Sequence, residues 1–208
     1  MISGRPIKSA AKPRLAADAR GAAMSEFGLL LLPMCLFLVG SLDMGMEIYY
    51  KSVLQGAVND IARSAIVESP NFTGDASMQL EDKIKAAIKE RVGTLVPNPT
   101  WDIKLTSYYD FTGAKKPERY VDTNKNGKYD KGECFTDSKV NNVYDTDTSS
   151  ATRGGADDVV FYEVNMKTAR VLPVAKLFGA SGNYDLTVQT AVRNQPYSDR
   201  AAPKQVCT

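Results

Sequence analysis

An uncharged apolar run near the N-terminus is the feature that most constrains this chain. It covers residues 27–42, which contain no acidic or basic side chain. As an α-helix this run would be about 24 Å long, just short of the ~30 Å hydrocarbon core of a bilayer. Adding residues 22–24 and 44–46 makes the helix long enough to span a membrane, with Glu26 and Asp43 near its two edges. The sequence therefore predicts a membrane-spanning helix.

The charge distribution around this run predicts its orientation. Residues 1–20 contain five Lys or Arg side chains and a single acid, Asp18. Because basic residues are retained on the cytoplasmic side, we expect a cytoplasmic N-terminus and a chain that is periplasmic after about residue 47 of a bacterial inner-membrane protein. A basic arm can also bind nucleic acid, but membrane topology explains this one more simply. We predict no nucleic-acid partner, since the whole chain has a net charge of only +2.

Three interpretations of the N-terminal region compete. A secretory signal peptide needs small residues at a cleavage site after the apolar run. Residues 43–47, which read DMGME, are a poor match to such a site. An uncleaved membrane anchor explains the run fully. A type IV prepilin leader would instead be cleaved before the run.

The residues at the head of the run favour the prepilin interpretation. Gly21 ends the basic leader, and Glu26 and Phe27 follow after four intervening residues. A carboxylate in lipid is unfavourable unless it is paired. Cleavage after Gly21 would create a new amino terminus at Ala22, which could pair with Glu26 of a neighbouring subunit. The position of Glu26 therefore has a physical explanation if such helices form bundles.

This pattern, G-x-x-x-x-E-F before an apolar run, resembles the Flp and TadE/TadF pseudopilins of tight-adherence (Tad) pili. We place the resemblance to TadE-like minor pseudopilins over residues 20–197, because the segments DDVVFYEVNMKTARVLPVAKLFG and LTVQTAVRNQPY are also similar to TadE-type proteins. The resemblance implies a non-enzymatic pilus subunit that is cut between Gly21 and Ala22 by a prepilin peptidase. Its implied partners are other pilin subunits and the inner-membrane assembly platform.

Apolar periodicity predicts two helices. Leu54, Val58, Ile61 and Ala65 recur at helical spacing, and Ser69-Pro70 ends the pattern. One helix over residues 22–68 would then be half membrane anchor and half spine of a soluble domain, with Pro33 causing a simple kink or acting in assembly. A second stripe, capped by Asp75 or Ser77, consists of Leu80, Ile84, Ile88 and Val92.

The remaining chain has strand character. Apolar and polar residues alternate from Thr100 onwards, residues 159–166 predict a central strand, and residues 186–192 predict another. The predicted fold class is α+β and pilin-like: a long N-terminal helix packed on a small antiparallel sheet, with a calcium-loop insertion. The predicted segments are a leader at 1–21, the helix at 22–68, and a periplasmic domain at 69–208 that contains an acidic loop at 122–147.

Residues 122–133 match the calcium-loop pattern D-x-[DN]-x-[DN]-G-x5-E at every fixed position. Such loops converge hard oxygen ligands on one cation, and a glycine, here Gly127, allows the sharp turn. The predicted structural Ca²⁺ ligands are Asp122, Asn124, Asn126, Lys128 through its carbonyl, Asp130 and Glu133. The alternative is a polar Asn/Gly turn without metal.

A second and poorer copy of this loop follows. Its candidate ligands are Asp137, Asn141, Asp145 and Asp147. Lys139 stands at its third position, Asn142 replaces the glycine, and a closing glutamate is missing. A bare turn is therefore the better interpretation of this copy, although ligands shared with the first loop are the alternative.

The chain contains no histidine, which excludes Ser-His-Asp and Cys-His catalysis and imidazole-ligated zinc. Among the three cysteines, Cys35 lies in the apolar run, where it acts as a small hydrophobic residue. Cys134 and Cys207 would both be periplasmic, where disulfides form, so a Cys134–Cys207 bridge is predicted, with free thiols as the alternative.

The favoured function is structural: a minor pseudopilin or assembly primer of a Tad-type pilus. The alternative is a membrane-anchored periplasmic binding or adhesion module, stabilised by calcium, that never enters a filament. An anchored hydrolase has no catalytic pattern to support it.

Overall fold

The computed structural model describes residues 21–75, 77–172, 176–177, 179 and 181–207, so the predicted basic leader up to residue 20 lies outside the described residues. The fold is α+β, as predicted. Its elements in chain order are α1 (Ala22–Ala65), α2 (Leu80–Gly93), β1 (Thr100–Tyr108), β2 (Cys134–Asp137), β3 (Val159–Ala169), β4 (Asn183–Arg193) and β5 (Lys204–Cys207).

Helix α1 has two halves in different environments. It is continuous through Pro33 over 44 residues, a length of about 66 Å. The half before residue 43 is almost entirely exposed, whereas the second half contributes a stripe of buried side chains to the core: Tyr50, Leu54, Ala57, Val58, Ile61, Ala62 and Ala65. Helix α2 and strand β4 pack against this second half of α1. The second half therefore forms the predicted spine of the domain.

Arg153 holds the C-terminal end of α1. Its guanidinium donates hydrogen bonds to the carbonyls of Ala65 and Val67, both at 3.2 Å, and to the carbonyl of Glu68 at 3.3 Å. These carbonyls belong to the last turn and its exit, where no intrahelical donor remains. The helix ends at Ala65, slightly before the predicted residue 68.

Helix α2 packs on α1 through its predicted stripe. Ile84, Ile88 and Val92 are fully buried. The predicted capping is wrong, however, because the N-cap residue is Gln79 and it makes no side-chain cap hydrogen bond. Asp75 instead closes the preceding turn by accepting the Met78 N–H at its carbonyl.

The main sheet is antiparallel with the strand order β1-β3-β4, so β3 is central as predicted. Strand β4 runs alongside α1 in the same direction. The Tyr184 hydroxyl donates to the carbonyl of Asp43, the Gln55 Nε2 amide donates to the carbonyl of Gln189, and the Gln195 N–H donates to the carbonyl of Ile66. The β3–β4 connection therefore lies at the end of the domain nearest the exposed half of α1.

The segment between β1 and β3 lies at the opposite end of the sheet and forms a small folded unit of its own. Strand β2 of this segment pairs antiparallel with β5 from the C-terminal end of the chain. These strands were not predicted, because four-residue strands carry almost no periodic signal. Phe135 of β2 is buried, and its ring contacts Tyr129 and Tyr144 in an aromatic cluster that also includes Tyr120.

Candidate functional site

The exposed half of α1 contains the predicted cleavage and pairing residues. Gly21 directly precedes the helix, and Gly21, Ala22 and Glu26 are exposed. The ring of Phe27 is 57% exposed. Glu26 has no hydrogen-bond or ion-pair partner within the part of the chain that the structure describes. By length and composition α1 is able to cross a membrane, and its most apolar stretch is not buried against the domain.

A cluster around Asp43 marks the boundary between the two halves of α1. The Asp43 side chain is buried, and its Oδ2 accepts a hydrogen bond from Arg170 Nη1 at 2.5 Å. The Tyr184 hydroxyl donates to Asp43 Oδ1 at 2.5 Å. Arg170 Nη2 also lies 3.1 Å from Glu47 Oε2. We call Asp43, Glu47, Arg170 and Tyr184 the junction cluster. Within it Asp43, the acid that directly follows the apolar run, is paired with a cation of the folded domain.

Electrostatics fix the protonation states of Arg170 and Tyr184 in the junction cluster. Burial, assisted by the hydrogen bond to Asp43, raises the pKa of Tyr184 to about 12. Burial opposes the charge on Arg170, but the hydrogen bond and charge of Asp43 raise the pKa of Arg170 overall. The arginine therefore stays charged and the tyrosine stays neutral at physiological pH.

We expect the domain to lose stability at strongly alkaline pH. The pKa values of Tyr162 and Tyr184 are both raised from 10.0 to about 12, chiefly by burial. Since the folded-state pKa is raised, this stabilisation is fully present below pH 10 and is lost as the pH rises through 12. Circular dichroism and tyrosinate absorbance, recorded together against pH, should show unfolding within that window. Tyr184→Phe should reduce the alkaline pH dependence, and an unchanged profile in this variant would contradict the assignment.

The first acidic loop, residues 122–133, is held by carboxylates that accept backbone N–H groups. Asp122 accepts from Asn126 at 3.1 Å and from Gly127 at 2.8 Å. Glu133 accepts from Thr123 at 2.8 Å and from Asp130 at 3.1 Å. Gly127 has φ +77°, a left-handed conformation that glycine adopts without strain.

The predicted ligands of this loop lie close together, but they are held by hydrogen bonds from side-chain amides. The side-chain NH₂ groups of Asn124 and Asn126 donate to Asp130 Oδ2 at 2.7 and 2.6 Å. These hydrogen bonds lower the pKa of Asp130. Among the described residues, no group of three or more Asp, Glu, Cys or His side chains converges as metal ligands would. A cation would therefore require both amides to turn their oxygens inwards.

The second loop repeats the backbone hydrogen bonds of the first. Asp137 accepts from the N–H groups of Asn141 at 3.1 Å and Asn142 at 2.7 Å, as Asp122 does in the first loop. Val140 and Asn142 have φ +57° and +59°. Asn142 takes the place of the turn glycine because asparagine tolerates the left-handed region better than most residues. The second loop therefore repeats the backbone conformation of the first at this turn.

The closing glutamate of the second loop is Glu118, which comes before the first loop in the chain. Its Oε1 accepts the Ser138 N–H at 2.6 Å and its Oε2 accepts the Asp145 N–H at 3.1 Å. Glu118 is 2% exposed. The second copy has no closing glutamate of its own, as the sequence shows, and Glu118 from another segment supplies the same two hydrogen bonds.

Two further residues distinguish the second loop from a cation site. Lys139 Nζ lies 3.5 Å from Asp145 Oδ1, so an ammonium group stands where the first loop has the amide of Asn124. Among the described residues, Asp147 accepts hydrogen bonds only from Ser149, from its N–H and its hydroxyl. The structure therefore brings Asp137, Asn141 and Asp145 into one loop but leaves Asp147 in a separate turn.

A disulfide bond joins the acidic loops to the C-terminal strand. Cys134 of β2 and Cys207 of β5 are register partners, and the two are bonded. The aromatic rings of Tyr129 and Tyr144, one from each loop, stack with centroids 3.9 Å apart. Cys35 is a free thiol on the exposed half of α1.

Comparison with protein families decides the character of the N-terminal segment. The family model described as TadE-like protein matches residues 21–63. This segment of the chain is TadE-like. The TadE-like segment begins at the predicted cleavage glycine and continues along most of α1, so the resemblance predicted from the sequence is confirmed there. Its predicted extension to residue 197 stays a prediction. Neither the curated proteins nor the solved structures gave a match to this chain.

The similarity over residues 21–63 suggests a protein associated with Tad pili. The apolar half of α1 fits a single-pass membrane anchor, since it is long enough, uncharged between residues 27 and 42, and not covered by the folded domain.

Proposed function

We propose that this protein is a minor pseudopilin of a Tad-type pilus. A prepilin peptidase cuts it after Gly21, and the apolar half of α1 holds it in the inner membrane with its domain in the periplasm. It takes part in pilus assembly or initiation, or enters the fibre beside other pilin subunits and the assembly platform. One observation carries the proposal. A single continuous helix, most of which matches the TadE-like family, is exposed in its first half and packed against the folded domain in its second half.

Glu26 is the residue that we assign to subunit pairing. It is exposed at the head of the apolar stretch, and no group within the described residues neutralises it. An unpaired carboxylate at this depth is unfavourable in lipid. The free amino group of Ala22 on a neighbouring, processed subunit is a suitable partner, and Phe27 lies beside it on the same exposed surface.

The Glu26→Ala variant is expected to insert into the membrane but to lose pilus assembly. Insertion depends on the apolar run, which the substitution leaves intact, whereas assembly depends on the paired charge. Membrane fractionation and counts of pili by electron microscopy measure the two properties separately. Glu90→Ala, at an exposed acid on α2, is the matched control and should assemble normally. Normal piliation with Glu26→Ala would refute the pairing role.

N-terminal sequencing of the membrane-bound protein tests processing directly. We expect the mature chain to begin at Ala22. Retention of residues 1–21 would instead favour the alternative function, a calcium-stabilised binding or adhesion module that stays in the membrane outside any filament. The paired acidic loops at the end of the domain far from the anchor would then be its exposed surface.

We also propose that the first acidic loop takes one structural Ca²⁺. Asp122, Asn124, Asn126, the Lys128 carbonyl, Asp130 and Glu133 form an all-oxygen donor set of the kind that calcium prefers. When bound, the cation would replace the amide hydrogen bonds to Asp130 as the brace of this loop. The second loop takes none, because the ammonium of Lys139 already lies against Asp145.

Chelation is expected to lower the melting temperature of the soluble domain, because the cation stabilises only the folded loop. Calorimetric titration of the full chain should give one weak site, with a dissociation constant on the order of 10⁻⁴–10⁻³ M, as in extracellular calcium modules. Asp122→Ala should abolish this site, whereas Asp147→Ala should leave it unchanged. Lys139→Asn supplies the missing oxygen in the second loop and should add a second site.

The calcium proposal fails if the domain melts at the same temperature with calcium and with EDTA. A single site that survives Asp122→Ala but disappears on substitution of Asp137 would place the cation in the second loop and would contradict the role given to Lys139.

A further inference from the structure

The segment between β1 and β3 contains acidic and basic side chains in nearly equal numbers. Residues 110–147 include eight acids and seven bases. Each of the acids accepts at least one hydrogen bond from this part of the domain. The acceptors are Asp110, Glu118, Asp122, Asp130, Glu133, Asp137, Asp145 and Asp147. The carboxylates are therefore engaged in holding the loops to which they belong.

The basic side chains of the same segment are exposed. Lys139 pairs with Asp145, whereas the other six bases make no ion pair within the described part of the chain: Lys115, Lys116, Arg119, Lys125, Lys128 and Lys131. Three of them lie in the first acidic loop. Hydrogen bonds from Asn124 and Asn126 are the main causes that lower the pKa of Asp130, and the charge of Lys128 contributes less. The outer surface of this acidic loop is therefore cationic. We call Arg119, Lys125, Lys128 and Lys131 the basic tip.

A polar cleft of about 160 Å³ adjoins the basic tip. Its lining includes Arg119, Thr136 and Ser138. Asp110 also lines it, and the carboxylate of Asp110 accepts the Gly113 N–H at 2.6 Å. Thr136 lies three residues after the closing glutamate of the first loop, a distance of about 10 Å along an extended chain. The cleft and the three lysines of the loop therefore lie within reach of one extended ligand.

The charge balance indicates the class of anion that this surface suits. With eight acids beside seven bases, the segment has no strong positive field to attract a densely charged polymer. Double-stranded DNA carries one charge per ~1.7 Å and would meet the acids as well as the lysines. Tyr129 and Tyr144 stack on each other, which uses ring faces that single-stranded nucleic acid would need. In the proposed orientation, the bilayer lies at the opposite end of the sheet. A polymer with widely spaced carboxylates, by contrast, meets the exposed lysines one at a time.

We propose that the basic tip binds an acidic polysaccharide whose carboxylates are spaced along the sugar chain. Lys125, Lys128 and Lys131 pair with separate carboxylates. Arg119 pairs with another beside the cleft, where Thr136 and Ser138 offer hydroxyl groups to the sugar. The inference rests on the proposed placement of the domain outside the cytoplasm, where such polymers occur. It assigns a ligand class to the end of the domain that lies far from the anchor.

Binding of the detergent-solubilised full chain to immobilised polygalacturonate tests the proposal. EDTA is present, so that calcium does not link the protein to the polymer. We expect binding at low ionic strength that weakens as salt is added, because the pairs are exposed. The triple variant Lys125→Gln, Lys128→Gln, Lys131→Gln should bind about tenfold more weakly, since each exposed pair contributes roughly a factor of two. The triple variant with arginine at the same positions keeps the charges and should bind as the natural chain does.

A second triple variant, Lys89→Gln, Lys104→Gln, Lys167→Gln, is the matched control. It removes the same charge from exposed lysines elsewhere on the domain, and its affinity should stay within about twofold of the natural chain because distant charges are screened. Equal losses in the two glutamine variants, or no binding at low ionic strength, would refute the basic tip as a site. Duplex DNA that displaces polygalacturonate through the same three lysines would overturn the choice of ligand. None of these results depends on cleavage or anchoring, so a chain that proves to begin at Met1 leaves this test unchanged, and failure to bind polygalacturonate leaves the pilus proposal unchanged.

Discussion

Replacing Arg170 with alanine is expected to lower the free energy of unfolding of the soluble domain by about 3–5 kcal/mol. The substitution leaves the carboxylate of Asp43, which is 4% exposed, without its cationic partner. It also removes the guanidinium that lies 4.5 Å from the centroid of the Tyr184 ring. A buried unpaired charge is the main cause of the loss, and it acts where α1 enters the domain.

Denaturant unfolding of the detergent-solubilised full chain, followed by the fluorescence of Trp101, measures this effect. Combining Arg170→Ala with Asp43→Asn should recover much of the lost stability, because the stranded charge is then gone. Arg193→Ala is the matched control, since its ion pair with Asp157 is largely exposed. A loss below about 1 kcal/mol for Arg170→Ala, the range of surface pairs, would show that the junction cluster does not hold the domain to the helix.

Removing the Cys134–Cys207 disulfide is expected to lower the free energy of unfolding by ~4 kcal/mol on the chain-entropy account. The bond closes a segment with a sequence separation of 73 residues, which contains both β3 and β4. The paired strands β2 and β5 have only four residues each, so the unfolded chain gains much freedom when the covalent link is lost.

The double variant Cys134→Ser with Cys207→Ser tests this link, with Cys35→Ser as the control that should leave stability unchanged. Hydrogen exchange should rise first in β5 and then in β2, whereas β3 keeps its protection within the main sheet. Intact mass without reduction should show the bonded form in the natural protein. Equal stability with and without reductant, or free thiols at both positions in the protein isolated from cells, would contradict the expectation.

Two arginines attach the two ends of the buried half of α1 to the folded domain. Arg170 pairs with Asp43 at the membrane end, and Arg153 binds the free carbonyls at Ala65 and beyond. Between them the helix is held against α2 and β4. A force on the membrane half, as in the proposed assembly step, would therefore be transmitted to the domain along a helix fixed at both ends.

Local patterns in the sequence were sufficient to predict the two helices and the three strands of the main sheet. The uncharged run and the stripes of Leu54 and Ile84 have helical periods, and the segments around Ile103, Val164 and Val188 have strand character. These signals arise because each element must place its apolar side chains on one side of a single core. The TadE-like motif was equally readable, since Gly21, Glu26 and Phe27 lie within one short segment.

Apart from the Cys134–Cys207 bridge, which was predicted from the sequence because these are the two cysteines outside the apolar run, partners from distant segments were decided only by the tertiary structure. Arg170 reaches Asp43, Glu118 closes the second acidic loop, and β5 pairs with β2. None of these pairs has a characteristic spacing, because a contact between remote segments depends on how the sheet and helices pack and not on any local period. The sequence by itself determined an anchor, a spine and two polar loops; packing determined which charge neutralises which and what closes each loop.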